Sequence, residues 1–275
     1  MMRAILSSAL ATCLAAPAFA GCAELEDTCK TPLGEYHISL PQGVENPPVL
    51  MFLHGAGGSG KMAIGMKAAL ERGYALIGPN GIKRPGSRFG SSWSFHPERE
   101  EIRDEEAFLR QVIADAAQKH GVDPDRILIA GFSIGGSMTS YLACDHPDIA
   151  SAFAPVGGSF WRPHPALDAC AAPVRLLHTH GWRDMTVPLE GRVLGNGTIA
   201  QGDVFYAMQV WRETNGCNNY RATEFASDDR FWRRGWDNCE AGALELILHP
   251  GAHGVPKGWS DIAIDWFEGL DAEGG

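Results

Sequence analysis

Short apolar runs of strand length recur along the chain and alternate with longer segments of helical periodicity. The strand candidates are Tyr36–Leu40, Pro48–Leu53, Tyr74–Pro79, Arg126–Ala130, Val174–Thr179 and Ala243–Leu248. The helical candidates are Met62–Arg72, Asp104–His120 and Gly135–Ala143. A buried strand, a helix and a second buried strand form the repeating unit of a parallel sheet. We therefore predict an α/β fold with a mostly parallel central sheet and helices on both faces.

The first twenty residues have the pattern of a secretory signal peptide. Arg3 precedes an apolar stretch that ends near Ala16, and Ala18-Phe19-Ala20 offers a cleavage site flanked by small side chains. We predict that residues 1–20 are removed and that residues 21–275 form one domain, secreted or periplasmic and free of the membrane. An alternative is that Phe19-Ala20-Gly21-Cys22 acts as a bacterial lipobox, in which Cys22 would carry a lipid.

Six cysteines remain after Cys13 leaves with the predicted signal peptide. They are Cys22, Cys29, Cys144, Cys170, Cys217 and Cys239. An even number of cysteines in an exported chain predicts disulfides, and we expect neighbours in sequence to pair, although other pairings are open. No pair has the short CxxC spacing of a zinc site and no histidine completes a ligand pattern, so we predict no metal.

The charge of the chain argues against a nucleic-acid partner. The 33 acidic residues outnumber the 23 Lys and Arg residues, which gives a formal net charge of −10. Such a surface repels phosphate backbones, and no Lys/Arg run offsets it. The segment Gly55–Lys61 superficially resembles a phosphate-binding loop, but Met62 stands where that motif requires Ser or Thr.

A candidate nucleophile lies between a predicted strand and a predicted helix. Gly131-Phe132-Ser133-Ile134-Gly135 has the pattern GxSxG, and the strand and helix around it predict the tight turn that exposes a nucleophilic serine. The glycines suit such a turn because a side chain there would collide with neighbouring backbone. The alternative is a helix start that Ser133 merely caps.

Two later strands end near an acid and a histidine in the order that this type of site requires. A serine needs a base to take its proton, and the base needs an acid to orient it. Asp184 follows the strand ending at Thr179, and His253 follows the strand ending at Leu248, so both belong to the carboxyl edge of the predicted sheet. The competing residues are Asp168, Asp203, His178, His180 and His249.

Acyl transfer also requires N–H donors that face the developing oxyanion. We expect one donor to be the N–H of Ile134 and the other to be that of Ala56, with Gly57 as second choice. Trp93, in the long loop after Pro79, is a candidate wall of the substrate pocket, and Gly57 is a candidate contact with the substrate. Other tryptophans on loops near the motifs are Trp161, Trp182 and Trp259.

Several of these motifs together resemble one family. The run from Gly121 through Gly136, with Ala154-Pro155-Val156-Gly157-Gly158, resembles the secreted polyhydroxybutyrate depolymerase and feruloyl esterase group of α/β-hydrolases. The likeness includes Leu53-His54-Gly55, His180-Gly181 and the loop of His253. It implies the α/β-hydrolase fold, with Ser133 as nucleophile, Asp184 as acid, His253 as base, and Ala56 and Ile134 as oxyanion donors, and it implies no cofactor.

The resemblance also bounds the expected function. Many members have Asn where this chain has Ile134, and members that attack solid polymer often carry a separate binding domain that is not visible in this sequence. We therefore expect a secreted, monomeric serine carboxylic-ester hydrolase that cleaves soluble hydroxyalkanoate oligomers or feruloyl-type esters through an acyl-enzyme. The alternatives are an acetyl-polysaccharide esterase, a small peptidase of the same fold, or a non-catalytic carbohydrate- or polymer-binding protein.

Overall fold

The computed structural model describes residue 22 and residues 28–86, 90–218 and 221–272. The predicted signal peptide, residues 1–20, lies outside the described residues, and the division into signal peptide and domain stays a prediction. Within the described ranges, no helix has both the length and the apolar character that crossing a bilayer requires.

The fold is built on a large sheet with helices on its two faces. The strands are β1 (Cys29–Thr31), β2 (Gly34–Ser39), β3 (Val49–Leu53), β4 (Ala75–Pro79), β5 (Ile82–Lys83), β6 (Ser91–Ser92), β7 (Ile127–Phe132), β8 (Ala152–Val156), β9 (Trp161–Arg162), β10 (Arg175–Gly181), β11 (Val193–Leu194), β12 (Ile199–Gln201), β13 (Glu224–Ser227), β14 (Trp232–Trp236) and β15 (Ala243–His249). The helices are α1 (Lys61–Ile64), α2 (Lys67–Glu71), α3 (Glu105–His120), α4 (Ile134–Asp145), α5 (Val204–Thr214) and α6 (Trp259–Ala272), with short 3-10 turns at Pro147–Ile149 and Gly195–Gly197.

The large sheet is mostly parallel, as predicted. Its strand order is β1-β2-β4-β3-β7-β8-β10-β15-β14-β13. The six central strands, from β4 to β15, run parallel to one another. The pairs β1–β2 and β14–β13 extend the sheet on its two sides with antiparallel strands. The carboxyl ends of the central strands therefore meet at one edge of the sheet.

Alternate residues of the central strands pack into two separate hydrophobic layers. In β3, Met51 lies in the layer covered by α3, α4 and α5, whereas Phe52 lies in the layer covered by α1, α2 and α6. The aromatic residues Trp211 of α5 and Trp259 of α6 are fully buried on opposite faces. Because both faces are covered, β3 and β4 are buried at every position and contain no polar side chain, which is why they were recognisable in the sequence.

The ends of α3 show how local sequence fixes a helix. The Asp104 carboxylate accepts a hydrogen bond from the Ala107 N–H at 2.9 Å, and Gly121 ends the helix in the left-handed conformation with φ +65°. The single helix predicted over Met62–Arg72 is wrong, because the structure breaks it into α1 and α2. Met66 has φ −84° and ψ +57°, outside the helical region, directly after Gly65.

Three disulfides join the six cysteines in the nearest-neighbour pattern that we expected. Cys22 is bonded to Cys29 of β1, Cys144 of α4 to Cys170, and Cys217 to Cys239. The second disulfide fixes the end of α4 to the segment before β10, and the third fixes the chain after α5 to the segment before β15. Both brace elements that lead towards the carboxyl edge of the sheet.

Candidate active site

Ser133 stands on a sharp turn between β7 and α4 at the carboxyl edge of the sheet. Its backbone has φ +58° and ψ −120°, in the left-handed region that non-glycine residues rarely adopt. The flanking glycines are required by close approach. A Cβ on Gly131 would lie 2.3 Å from the Gly135 carbonyl oxygen, and a Cβ on Gly135 would lie 2.1 Å from the Leu53 carbonyl oxygen.

The structure brings Ser133, His253 and Asp184 into one chain of hydrogen bonds. The Asp184 carboxylate accepts from His253 Nδ1–H at 2.6 Å, which leaves His253 Nε2 to accept the Ser133 hydroxyl proton at 2.9 Å. The Asp184 loop follows β10 and the His253 loop follows β15, as the sequence predicted. Asp203, a competing candidate for the acid, instead caps α5, where its carboxylate accepts from the N–H groups of Phe205 and Tyr206.

The loop after β10 holds the Asp184 carboxylate in its charged form. Oδ1 accepts hydrogen bonds from the N–H groups of Thr186 and Val187, each at 2.8 Å, and Oδ2 is left for His253. Burial raises the pKa of Asp184, but the hydrogen bonds from His253, Val187 and Thr186 outweigh it, and the pKa lies below its ordinary value. An ionised Asp184 can therefore stabilise a positive charge on His253.

Packing restricts the ring of His253 on both sides. The Phe132 ring lies against it with centroids 4.7 Å apart and planes inclined by 36°. On another side the backbone of Gly157 approaches closely, and a Cβ at Gly157 would lie 3.5 Å from His253 Cε1. The residue before the candidate nucleophile thus helps to place the candidate base, a role that the sequence pattern did not reveal.

Two backbone N–H groups at the site are free to face a ligand. Ile134 is the first residue of α4, where an N–H has no intrahelical acceptor, and Ala56 lies exposed after β3. Within the part of the chain that the structure describes, neither N–H donates a hydrogen bond. Gly57, our second choice as oxyanion donor and a candidate substrate contact, differs because its N–H donates to the Ser91 carbonyl oxygen at 2.8 Å.

The buried ring of His54 orients the peptide that carries the Ala56 N–H. Its Nε2 accepts from the Gly81 N–H at 2.8 Å, so the proton is on Nδ1, which donates to the Gly55 carbonyl oxygen at 2.7 Å. Burial lowers the pKa of His54 and keeps the ring neutral. In a trans peptide the Ala56 N–H points away from the Gly55 carbonyl, so His54 fixes its direction.

Trp93 does not line an open pocket, and the prediction that it forms a pocket wall is wrong. Its side chain is 4% exposed, and its indole N–H donates to the His54 carbonyl oxygen at 2.9 Å. The Arg103 guanidinium lies over the indole ring, 5.9 Å from its centroid. The indole N–H of Trp93 instead serves as a buried support for the His54 turn.

The other loop tryptophans differ in exposure. Trp161 and Trp259 are buried, and the Trp259 indole N–H donates to Thr179 Oγ1 at 3.0 Å. Trp182, two residues before Asp184, is 57% exposed and meets the half-exposed Trp232 edge to face, with centroids 6.3 Å apart. Trp182 is therefore the loop tryptophan that is accessible beside the candidate triad.

One group of potential metal ligands occurs among the described residues, at Cys22, Cys29 and His120. The two sulfur atoms are joined in a disulfide, whereas the form of cysteine that binds a metal is the thiolate. This group lies at β1 and α3, away from Ser133. Its chemistry is that of a structural cross-link.

Comparison with known proteins identifies the family. The model of the phospholipase/carboxylesterase family of α/β-hydrolases matches residues 38–198, more than half of the chain. The chain is 29% identical to feruloyl esterase B of Piromyces equi over 217 residues, which cover 74% of this chain and 37% of that enzyme. It is 24% identical to an acetylxylan esterase of Coprinopsis cinerea over 263 residues, 82% of this chain and 67% of that protein.

The solved structures support the same fold. An acetyl xylan esterase from Aspergillus awamori superposes with a TM-score of 0.65 at 16% identity, covering 90% of this chain and 97% of the other. The chain belongs to the phospholipase/carboxylesterase family, a family of carboxylic-ester hydrolases, and the resemblance to esterases drawn from its motifs is confirmed. The chain spans less than half the length of the first curated relatives it matches, including feruloyl esterase B.

Proposed function

We propose that this protein is a secreted serine carboxylic-ester hydrolase in which Ser133, His253 and Asp184 form the catalytic triad. The observation that carries the proposal is the continuous hydrogen-bonded chain from Asp184 through His253 to Ser133, next to two N–H groups that have no acceptor among the described residues. A protein that only binds carbohydrate or polymer has no need for this combination. The order of the three residues along the chain is also that of the α/β-hydrolases.

The geometry supports a two-step mechanism. His253 Nε2 takes the hydroxyl proton as Ser133 Oγ attacks the ester carbonyl carbon, and the N–H groups of Ala56 and Ile134 stabilise the resulting oxyanion. Collapse of this intermediate breaks the bond to the alkoxy oxygen, and His253 donates its proton to the departing alcohol. Water, deprotonated by His253, then attacks the acyl-enzyme, and the acid leaves as Ser133 regains its proton.

The relatives support a proposal for the substrate class. Relatives named feruloyl esterase and acetylxylan esterase favour a soluble ester, feruloyl-type or acetyl, attached to a sugar chain. Oligomers of hydroxyalkanoates are the second candidate, because a short segment, 54 residues at 30% identity, matches a poly(3-hydroxyalkanoate) depolymerase of Paucimonas lemoignei. The three disulfides favour an oxidising compartment, which agrees with secretion. We expect a monomer that acts without a cofactor.

The test is labelling and turnover with a matched serine control. The wild type should react with a fluorophosphonate probe and hydrolyse nitrophenyl acetate, whereas Ser133→Ala should lose labelling and lose activity by roughly 10⁴-fold or more. Ser227→Ala, on the exposed strand β13, should behave as wild type. Equal labelling of wild type and Ser133→Ala would contradict the mechanism.

A substrate panel then separates the candidate activities. Methyl ferulate, acetylated xylan, hydroxybutyrate oligomers and peptide anilides would be compared by kcat/KM. We expect methyl ferulate or acetylated xylan, which represent the feruloyl and acetyl esters of sugar chains, to be cleaved fastest. Faster turnover of the anilides would assign the site to a peptidase.

A further inference from the structure

Two buried histidines lie behind the candidate catalytic acid. His178 and His180 are both fully buried on β10. As alternate residues of a strand they share one face, and their rings are parallel, with planes inclined by 3° and centroids 5.4 Å apart. Burying two imidazoles side by side costs free energy unless their polar atoms are hydrogen-bonded, so their partners are informative.

The hydrogen bonds define which nitrogen of each ring carries the proton. His180 Nε2 lies 2.7 Å from the Val187 carbonyl oxygen, which can only accept, so His180 is protonated on Nε2 and its Nδ1 is an acceptor. His178 Nε2 lies 3.1 Å from that Nδ1 and must donate to it. His178 Nδ1 is then an unprotonated, buried atom without a partner among the described residues. Both rings are neutral, the His178 N–H donates to His180, and the His180 N–H donates to the Asp184 loop.

The His180 N–H donates a hydrogen bond directly to the loop that carries Asp184. The Val187 peptide group is held from two sides, because its carbonyl accepts from His180 and its N–H donates to Asp184 Oδ1 at 2.8 Å. His180 Nε2 also lies 3.6 Å from Asp184 Oδ2, the oxygen that accepts from His253. A shift of the Val187 peptide would therefore move both carboxylate oxygens.

We propose that His178 and His180 form a positioning pair for the catalytic acid, in which His178 sets the tautomer of His180 and His180 fixes the Asp184 loop against His253. This inference rests on the proposed function, since it assigns a role within the same triad. Neither histidine touches the substrate. Their effect on catalysis passes through Asp184.

The surroundings keep both rings neutral. The ionisable groups near His180 are His178, Asp184, His249 and His253, and of these Asp184 is the anion. Burial lowers the pKa of His180 despite its hydrogen bond to Val187 and the charge of Asp184, and burial lowers the pKa of His178 further. A second proton on His178 would have to reside on its unpartnered Nδ1, so the donor–acceptor order of the pair is preserved at neutral pH.

The main test replaces His180 by residues that remove or keep its donor. His180→Leu should lower kcat by about 10- to 100-fold with KM little changed, because small displacements of catalytic groups have effects of this size. His180→Gln keeps an N–H donor of similar reach and should recover most of kcat. His178→Leu should show a smaller loss.

A destabilised control separates positioning from general damage. Val112→Ala, on the buried face of α3, lowers stability without touching the site, and its kcat and KM should match wild type. If His180→Leu lowers only the unfolding midpoint, and kcat also matches wild type, the positioning role is wrong. Long-range ¹H–¹⁵N spectra of the wild type give a check that needs no variant, because both rings must carry Nε2–H, and an Nδ1–H tautomer of His180 would overturn the proposal.

The two proposals fail in different ways. Loss of fluorophosphonate labelling in the wild type, or full activity in Ser133→Ala, would remove the triad and the positioning pair together. Normal labelling of wild type combined with unaltered kinetics in both His180→Leu and His178→Leu would remove the positioning pair alone.

Discussion

At the scale of single residues, the site combines backbone strain at one position with tight support at others. Ser133 takes a left-handed backbone conformation because it is the single residue at which the chain turns from β7 into α4. His54 and Trp93 lie behind the Ala56 N–H and are fully satisfied by hydrogen bonds to backbone. The strained residue, Ser133, is therefore the one that would meet the substrate. The unstrained residues His54 and Trp93 hold the Ala56 loop in place.

The strain at Ser133 should be measurable as a difference between two inactive variants. Glycine has no Cβ and adopts φ +58° easily, so Ser133→Gly should exceed Ser133→Ala in free energy of unfolding by about 1–2 kcal/mol. Urea denaturation measures this difference. In β13, where Ser227 is an ordinary strand residue, the order should reverse, with Ser227→Gly less stable than Ser227→Ala. A less stable Ser133→Gly would show that the turn carries no strain.

Replacing Trp93 should slow the turnover of all substrates by a similar factor. Its side chain supports the loop from His54 to Ala56, and we expect it not to contact the acyl group. Trp93→Phe keeps the aromatic packing but removes the indole donor to the His54 carbonyl oxygen. We expect kcat to fall severalfold, by a similar factor for nitrophenyl acetate and for methyl ferulate. A change in the ratio of the two rates would instead place Trp93 in the substrate pocket, as its position in the sequence had suggested.

At the scale of elements, the pairing of β10 with β15 joins the acid to the base. The two strands are parallel neighbours with Gly181 opposite His249, so the loops that follow them leave the sheet side by side. The Trp182 N–H donates to the His249 carbonyl oxygen at 2.7 Å, and the Arg183 N–H donates to that of Gly251 at 3.0 Å. These bonds tie the Asp184 loop to the His253 loop along their length.

At Gly181 the two loops lie in close backbone contact. A Cβ there would lie 2.4 Å from the Ala252 carbonyl oxygen, so Gly181→Ala must displace the backbone next to His253. We expect kcat/KM to fall by at least about 100-fold and stability to fall by about 1–3 kcal/mol. Gly254→Ala is the matched control, because a Cβ at Gly254 meets no atom within 4 Å and its kinetics should stay near wild type. Wild-type activity in Gly181→Ala would mean that the loops move independently.

The sequence predicted these elements to different extents, for physical reasons. The central strands were recognisable because both of their faces are buried, and the turn at Ser133 followed from glycines placed between a strand and a helix. Their neighbours in space were not encoded locally, so the contact between the loops of Asp184 and His253 appeared only in the sheet order. The break at Met66 and the buried supports His54 and His180 were missed because each depends on backbone groups distant in the chain.

At the scale of the whole molecule, buried histidines make stability dependent on pH. Burial lowers the pKa of seven histidines: His54, His96, His120, His164, His178, His180 and His249. When the folded-state pKa is depressed, the unfolded chain binds protons more readily. The stability that these residues contribute is complete above their unfolded pKa of about 6.5 and is lost as the pH falls below it.

Acid should therefore weaken the fold before it protonates the carboxylates. Between pH 7 and pH 5 we expect the free energy of unfolding to drop by at least about 2 kcal/mol, since each fully linked histidine contributes up to about 1.4 kcal/mol per pH unit. Urea midpoints measured at intervals of half a pH unit would show this decline. His178→Leu removes one of the most deeply buried groups, so its stability should fall less steeply with acid. A flat profile in the wild type would contradict the linkage.

The bond between Cys22 and Cys29 bears on whether Cys22 could instead carry a lipid. A sulfur atom that is bonded to Cys29 cannot also hold the thioether-linked diacylglycerol of a lipoprotein, so a lipidated Cys22 would leave an unpaired thiol on the edge strand β1. The two forms differ in intact mass and in reaction with a thiol reagent. We expect a chain without lipid and without free thiols, released by detergent-free extraction, in which Cys22 is linked covalently to the edge strand of the sheet.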